Sequence, residues 1–79
     1  MSHKIIREIL AQHGRLPVEI DSLTDDSDLY NAGLTSLATV GLMLALEDAF
    51  EIEFPETMLS RKTFESIQSI SEAVEELKN

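Results

Sequence analysis

The sequence contains no cysteine, and it has only three glycines and two prolines in 79 residues. The absence of cysteine excludes disulfide bridges, thiolate nucleophiles and cysteine-based zinc sites. The apolar runs are far shorter than the roughly 20 residues of a membrane-spanning helix, and the N-terminal segment lacks the apolar core and cleavage site of a secretion signal. We therefore expect one cytoplasmic domain over residues 1–79, held together by packing alone.

Basic side chains are also scarce. Six Lys and Arg accompany fifteen Asp and Glu, which gives a net charge of −9, and residues 16–60 contain no base. Nucleic acids and anionic membranes are bound through basic side chains, so the composition disfavours both as partners. The acids favour either a solvated surface or a face that docks a basic protein partner, and we expect a monomer.

Helical periodicity dominates the rest of the chain. Apolar residues recur at helical spacing in residues 2–13, 36–50 and 63–77, and residues 56–60 are predicted to form one short helical turn. Residues 15–34 lack this period and contain a proline, which predicts a long loop. The fold class that follows is all-α, with three principal helices, a short helix and a long first loop.

Local signals mark the ends of these helices. Ser2 and Gly14 are predicted to begin and end the first helix, and Thr63 or Glu65 is predicted to open the last one. The apolar side chains expected to anchor the long loop and the short turn to the core are Val18, Ile20, Leu23, Leu29, Met58 and Leu59.

The helix at residues 36–50 has two apolar stripes. The stripe expected to face the core comprises Thr39, Leu42, Met43, Leu46 and Phe50. The second stripe comprises Leu37, Val40 and Leu44. One stripe suffices to attach a surface helix, so a second stripe in so short a chain predicts an exposed patch for a partner.

The sequence contains no convincing set of metal ligands or catalytic groups. His3 and His13 fall on different faces of the first helix and are predicted to be exposed. An Asp-rich stretch starting at Asp26 departs from the calcium-loop pattern, because Asn31 and Leu37 stand where glycine and glutamate are required. No serine lies in a Gly-x-Ser-x-Gly motif. We therefore predict neither a metal site nor catalytic residues.

The segment AGLTSL, residues 32–37, places two hydroxyl side chains where the most helical part of the chain begins. Thr35 or Ser36 can cap this helix, a common role that stabilises it by roughly 1 kcal/mol. The same position leaves a serine hydroxyl beside unpaired N–H groups and the positive end of the helix dipole, which together stabilise a phosphate ester. The spacing alone leaves both interpretations open.

A resemblance to the acyl carrier protein family covers nearly the whole chain. It rests on the run DLYNAGLTSLATVGLMLALEDAFEIEFPETMLSRKTFESIQSI, with its acidic loop, Gly-x-(Asp)-Ser-Leu motif, Leu-Glu-x-x-Phe helix end and Ile-x-Phe-Pro turn. The resemblance implies a four-helix bundle with a short third helix. It also implies that Ser36 is the attachment point for 4′-phosphopantetheine, transferred from coenzyme A by a phosphopantetheinyl transferase.

The chain departs from the family around this serine. Thr35 stands in place of the usual aspartate, and Ala38 and Gly41 replace common acidic residues. Partners of fatty-acid carriers place basic residues on those acids, so we expect them to bind this chain poorly. The residues predicted to dock a partner instead are Leu37, Val40, Gly41 and Leu44. The remaining acidic surface is expected to come from Glu47, Asp48, Glu51 and Glu53.

The combination AGLTSL, LEDAFEIEFPE and LSRKTFESI is most similar to small stand-alone carriers that seryl-tRNA-synthetase-like ligases load with amino acids. This resemblance implies a small amino acid held as a thioester, an amino acid:carrier protein ligase as partner, and no catalysis by the chain itself. Two alternatives stay open: an acyl carrier for fatty-acid or polyketide synthesis, with its own acyl-loading enzyme, and an unmodified helical protein-interaction module.

Overall fold

The computed structural model describes residues 3–78, and every regular element in that range is helical. The three long helices are α1 (His3–His13), α3 (Ser36–Phe50) and α5 (Ile67–Lys78). The two helices of four residues are α2 (Leu29–Ala32) and α4 (Arg61–Phe64), and 3₁₀ turns lie at Ile20–Ser22 and Glu56–Met58. The all-α prediction is confirmed. The predicted cap at Ser2 lies outside the described residues.

The hydrophobic core lies between the three long helices. α1 contacts both α3 and α5, and α4 packs beside α5. The large side chains that are fully buried are Ile6, Leu10, Leu29, Leu42, Leu46, Ile67, Ile70 and Val74. Burying each such side chain contributes roughly 1.5–3 kcal/mol, so these residues are the main source of stability in a chain without disulfides.

Arg7 fastens the long loop to α1. Its guanidinium donates hydrogen bonds to the carbonyl oxygens of Ile20 (3.1 Å) and Leu23 (3.0 Å) and to Asp25 Oδ1 (3.0 Å). The Asp25 carbonyl accepts from the Gln68 N–H at 2.9 Å, which ties the same part of the loop to α5. A planar guanidinium can serve several acceptors at once, so one side chain fixes a segment that has no helical period.

A short helix, α2, interrupts the predicted loop. Asp28 caps it, because its Oδ1 accepts from the N–H groups of Tyr30 and Asn31. The helix ends at Gly33, where φ is 122° and an added Cβ would lie 2.6 Å from Pro17 Cδ. Both the backbone conformation and this close contact require glycine. Four residues are too few to show a period, so the sequence pattern does not reveal α2.

The predicted loop anchors are confirmed with one exception. Leu29 is buried, and Ile20 and Leu23 pack against the core with partial exposure. Val18 is exposed, so the prediction for this residue is wrong. The chain is held at that point by Pro17, whose ring lies against Gly33, and the Val18 side chain is left on the surface.

The end of α1 differs in detail from the prediction. The helix stops at His13 as expected, but the left-handed residue is Arg15, with φ of 53°, and not Gly14. The Gly14 N–H donates to the Leu10 carbonyl at 2.7 Å, and an added Cβ on Gly14 would lie 2.7 Å from the same oxygen. Glycine is therefore needed here for close approach, while the chain reverses at Arg15.

The last helix begins at Ile67, so the predicted openings at Thr63 and Glu65 are wrong. Ser66 and Ser69 cap each other: the Ser66 N–H donates to Ser69 Oγ at 3.1 Å, and the Ser69 N–H donates to Ser66 Oγ at 3.0 Å. This reciprocal capping separates the short helix α4 from α5. One continuous helix was expected there.

The turn predicted at residues 56–60 is the 3₁₀ turn Glu56–Met58. Met58 packs against the core as expected, whereas Leu59 is 48% exposed, so its predicted inward position is wrong. A single turn directs consecutive side chains to different faces and cannot bury both. Leu59 lies instead at the rim of a groove described below.

Candidate functional site

Ser36 is the first residue of α3, and it is exposed. The helix cap is Thr35, whose Oγ1 accepts from the Ala38 N–H at 3.0 Å, so Thr35 and not Ser36 has the capping role. The Thr35 carbonyl accepts from both the N–H (2.9 Å) and the Oγ1 (2.8 Å) of Thr39. Within residues 3–78 the Ser36 hydroxyl has no hydrogen-bond partner, which leaves it available for modification.

The start of α3 favours a negative group on Ser36. The N–H groups of Ser36 and Leu37 belong to the first turn, where a helix leaves its N–H groups without internal partners. They coincide with the positive end of the dipole of a 15-residue helix, and no acid lies in the first turn. A phosphate ester on Ser36 would therefore be stabilised.

An open groove of about 380 Å³ lies beside this serine, between α2, α3 and α4. We call it the Ser36 groove and define it by Tyr30, Ser36, Val40, Met43, Arg61 and Phe64. Its lining is completed by Thr39, Leu59 and Ser60. The walls are mainly apolar, and a group attached to the Ser36 hydroxyl can enter the groove directly.

An aromatic ring contacts Arg61, which is the one cation that lines the Ser36 groove among residues 3–78. Arg61 Cζ lies 4.2 Å from the centroid of the Tyr30 ring, which is a cation–π distance. The Tyr30 hydroxyl oxygen lies 3.4 Å from Thr39 Oγ1, and this contact connects the ring to α3. Neither Tyr30 nor Arg61 is among the site residues predicted from the sequence. The available signal was that Arg61 is the first base after the base-free residues 16–60.

A second pocket, of about 280 Å³, lies on a neighbouring face of α3. His13 and Arg15 from the end of α1 line it together with Thr35, Leu37 and Gly41. Each of the two pockets beside the start of α3 therefore contains an arginine, Arg61 in the Ser36 groove and Arg15 in the second pocket. The chain as a whole nevertheless has a net charge of −9.

The second apolar stripe of α3 is exposed, as predicted. Leu37 is 84% exposed, Val40 51% and Leu44 55%, whereas Leu42 and Leu46 are fully buried. We call Leu37, Val40 and Leu44 the docking stripe. Its role in docking stays a prediction, because exposure shows only that the three side chains are accessible.

The core-facing stripe of α3 is less deeply buried at its C-terminal end than predicted. Phe50 is only half-buried, as is Met43, so the expectation of a buried Phe50 is wrong. The Phe50 ring is covered in part by Lys78, whose Nζ lies 5.7 Å from the ring centroid. Lys78 belongs to the last turn of α5.

The acids at the C-terminal end of α3 and just after it differ in their exposure. Glu47 Oε2 accepts from the Phe54 N–H at 2.9 Å and fastens the turn that begins at the left-handed residue Glu51. Glu47 is half-buried and its second carboxylate oxygen has no hydrogen-bond partner in the described chain, so its contribution to an acidic docking surface stays a prediction. Asp48, Glu51 and Glu53 are exposed.

The two histidines lie apart. His13 is exposed as predicted, whereas His3 is less exposed than predicted: it is half-buried, with Nε2 3.0 Å from Gln68 Oε1 and 4.0 Å from Asp25 Oδ2. In the described part of the chain, no group of three or more His, Asp or Glu residues could hold a metal ion. No helix among residues 3–78 is long and apolar enough to span a membrane.

The sequence and the structure both match known proteins. The family described as phosphopantetheine attachment site matches residues 4–75. The chain is 55% identical over 69 residues to an aminoacyl carrier protein of Agrobacterium fabrum, covering 87% of this chain and 83% of the relative. It is 40% identical over 73 residues to a D-alanyl carrier protein of Streptococcus uberis, covering 91% of this chain and 92% of the relative.

Two solved structures extend the comparison. One is an engineered Bradyrhizobium japonicum glycine:[carrier protein] ligase complexed with carrier protein from Agrobacterium tumefaciens and ATP. This match has a TM-score of 0.91 and 51% sequence identity, and it covers 95% of this chain and 97% of the matched chain. The other is the holo acyl carrier protein of Nitrosomonas europaea, with a TM-score of 0.84, 31% identity, and coverage of 96% and 94%.

Fold and site together define a small helical carrier with an exposed serine at a helix start. The chain belongs to the phosphopantetheine attachment family, and the predicted acyl-carrier fold and phosphopantetheine cofactor are confirmed at the level of that family. The residues fit the group: an unbonded hydroxyl, a helix start without acids, and a groove with a cation. Ser36 as the attachment point stays a prediction.

Proposed function

We propose that the chain is an aminoacyl carrier, which holds a small amino acid as a thioester on a 4′-phosphopantetheine arm attached to Ser36. The observation that carries the proposal is the exposed, unbonded Ser36 hydroxyl at a helix start that Thr35 already caps. The similarity to an aminoacyl carrier protein and to D-alanyl carrier proteins supports a small amino acid, such as glycine or alanine, as cargo.

Attachment of the arm requires a phosphopantetheinyl transferase, with coenzyme A as donor. Ser36 Oγ forms a bond to the pantetheine-side phosphorus of coenzyme A, the pyrophosphate bridge breaks, and adenosine 3′,5′-bisphosphate leaves. The hydroxyl proton passes to a base of the transferase. The free N–H groups and the dipole at the start of α3 then stabilise the phosphodiester on Ser36.

The arm supplies the terminal thiol that this cysteine-free chain lacks, and the thiol holds the amino acid as a thioester. The chain orients the arm and presents it to other proteins, and we propose that it catalyses no step itself. Attachment of the arm consumes coenzyme A, and a ligase like the one in the ATP-bound complex would consume ATP when it loads the amino acid. The proposed place of action is therefore the cytoplasm, where both compounds are available.

The docking stripe is the proposed contact for an amino acid:carrier protein ligase. Leu37 and Val40 lie within the first five residues of α3, next to Ser36, and Leu44 continues the stripe along the helix. Gly41 lies beside this stripe, and an added Cβ there would meet no atom within 4 Å, so a partner can approach the backbone closely. Exposed apolar residues in this arrangement are typical of protein interaction sites.

The attachment site can be tested by intact mass after incubation with coenzyme A and a broad-specificity transferase. We expect the mass of one phosphopantetheine on the parent and on Ser60→Ala, and no gain on Ser36→Ala. Ser60 is a matched control, because it lines the same groove. Modification of Ser36→Ala would refute the assignment of this residue, and an unmodified parent would refute the carrier function.

The cargo class needs a separate test. A fatty-acid or polyketide carrier is the second candidate, favoured by the apolar walls of the Ser36 groove and by the match to a holo acyl carrier protein. Holo protein is incubated with ATP and either glycine and an aminoacyl ligase or a fatty acid and an acyl ligase. We expect efficient loading only with the amino acid, and the reverse result would identify an acyl carrier.

A further inference from the structure

The charge composition of the Ser36 groove is the reverse of that of the whole chain. Fifteen acids occur in the sequence, yet among residues 3–78 no acid lines this groove and Arg61 is its only charged lining residue. Its walls include the apolar side chains of Val40, Met43 and Phe64. An apolar groove with one cation accommodates uncharged and anionic groups. It disfavours an ammonium group, which would lose hydration and meet a like charge.

Arg61 is held at this position although it is exposed. Its guanidinium lies over the Tyr30 ring, and Tyr30 in turn contacts Thr39 of α3 through its hydroxyl. Lys62, the next residue, does not line the groove. The cation is therefore fixed at this site by a specific contact, and a neighbouring base of the same charge is not part of it.

We propose that Arg61, positioned by Tyr30, makes the Ser36 groove a charge-selective binding site for the arm. The groove admits the phosphodiester and the uncharged part of the arm, and it keeps an ammonium-bearing aminoacyl group in solvent. The inference rests on the proposed function. The occupant follows from the position of Ser36, which lines the groove, and from the complementary charges of the phosphodiester and Arg61.

This selectivity has a consequence for how cargo is presented. A free aminoacyl group has a protonated amine at neutral pH, so it stays outside the groove and is accessible to the enzyme that receives it. An uncharged acyl group of the same size enters the groove and is shielded. Glycyl and propionyl groups make this comparison directly, because they have the same number of heavy atoms and differ by an ammonium in place of a methyl group.

The experiment compares holo, glycyl and propionyl forms of the full chain, each prepared with a transferase from the matching coenzyme A compound. Amide signals of Thr39, Val40 and Met43 are recorded by two-dimensional ¹H–¹⁵N NMR. We expect the propionyl form to shift these signals relative to the holo form, and the glycyl form to superimpose on the holo form. Equal shifts from both groups, or no shift from either, would overturn the proposal.

Charge reversal at Arg61 tests the residue itself. In Arg61→Glu the glycyl form should shift the groove signals, and hydroxylamine should cleave its thioester about fivefold more slowly than in the parent, each rate taken relative to glycyl-coenzyme A. The matched control Lys62→Glu makes the same change of charge one residue away and should behave as the parent. Equal effects of both variants would show that net charge, and not Arg61, controls the groove.

The two levels of inference fail separately. Intact mass is measured before any spectrum, so a chain that takes up no phosphopantetheine refutes the proposed function. If the chain is modified on Ser36 but the groove does not distinguish a glycyl from a propionyl group, only the charge selectivity of the groove is refuted. Tyr30→Phe removes the hydroxyl contact with Thr39 but keeps the ring, so it should retain the selectivity of the parent, whereas Tyr30→Ala should weaken it.

Discussion

Thr35 and Ser36 are adjacent hydroxyl residues with different roles. Thr35 has the extended backbone of a cap, with φ of −96° and ψ of 163°, and its hydroxyl bonds to the Ala38 N–H. Ser36 is already helical, and its hydroxyl makes no such bond within the described chain. The capping role is thus filled one residue earlier, and a modification of Ser36 does not disturb the helix start.

Replacement of these two residues should therefore have unequal effects on stability. Thr35→Ala removes the bond to the Ala38 N–H and should lower the free energy of unfolding by about 1 kcal/mol. Ser36→Ala should change it by less than about 0.5 kcal/mol, as is usual for an exposed side chain without partners. Urea unfolding of the unmodified proteins measures both. A larger loss for Ser36→Ala than for Thr35→Ala would contradict the assignment of the cap.

Arg7 is the residue on which the long loop most depends. Arg7→Ala removes the hydrogen bonds to the carbonyl oxygens of Ile20 and Leu23 and to Asp25, and it should lower the free energy of unfolding by roughly 1.5–3 kcal/mol. Arg7→Lys should recover only part of this loss, because an ammonium group cannot reproduce the planar arrangement. Lys4→Ala, an exposed base on the same helix, is the control and should be nearly neutral. Full recovery by lysine would show that charge alone suffices.

Single residues were predictable where their role is local. The sequence pattern correctly predicts the exposure of Leu37 and restricts the cap to Thr35 or Ser36, because both depend on positions within one helix. Arg7 and the contact between Arg61 and Tyr30 were not predicted. Asp25, a partner of Arg7, lies 18 residues away along the chain. Tyr30, the partner of Arg61, lies on a different helix, so only the folded chain brings either pair together.

At the scale of elements, α3 combines a buried and an exposed apolar face. Truncation should separate the two. Leu46→Ala leaves a cavity and should cost roughly 2–5 kcal/mol of stability, whereas Leu44→Ala should leave stability nearly unchanged. Leu44→Ala should instead weaken ligase binding by roughly 1–3 kcal/mol, measured as a higher KM of the ligase for the holo carrier. Unchanged loading kinetics for Leu44→Ala would remove Leu44 from the docking surface.

Gly41 gives a second test of this helix. An added Cβ meets no atom within 4 Å, so Gly41→Ala should raise the free energy of unfolding by roughly 0.5–1 kcal/mol, since alanine loses less backbone freedom in a helix. If a partner approaches the backbone here, the same change should weaken ligase binding. Thermal and urea unfolding give the first value, and ligase kinetics give the second. A variant that gains stability and keeps full binding would exclude close approach at Gly41.

Long helices were easier to predict than short ones. α1 and α3 contain enough turns for their apolar spacing to define them, and the predicted bounds are within a residue or two of those observed. α2 and α4 have only four residues each, and the break before α5 depends on two serines that cap each other. A continuous apolar period runs through that break, from Phe64 to Leu77, so periodicity alone predicts one helix.

The chain as a whole separates its charges. Ten acids lie in residues 16–60, which contain no base, whereas Arg15 and Arg61 stand just outside this range and line two separate pockets beside the start of α3. The region around Ser36 therefore presents bases to an anionic donor such as coenzyme A, although the net charge of the molecule is negative.

The same imbalance of charge should make stability depend on salt. At a net charge of −9 the folded chain repels itself, and ions screen this repulsion over a distance of about 10 Å at 0.1 M ionic strength. We expect the melting temperature to rise as sodium chloride is added at neutral pH, and to rise further with magnesium chloride at equal ionic strength.

Arg7 and Asp25 form an ion pair at 3.0 Å that salt weakens. The pair is partly buried, and Arg7 also donates to carbonyl oxygens, so the resulting loss of stability is small. Calorimetry of the unmodified chain measures how the melting temperature changes with salt, with Arg7→Lys as a control for that pair. A melting temperature that falls steadily with salt would show that favourable ion pairs outweigh the repulsion between the acids.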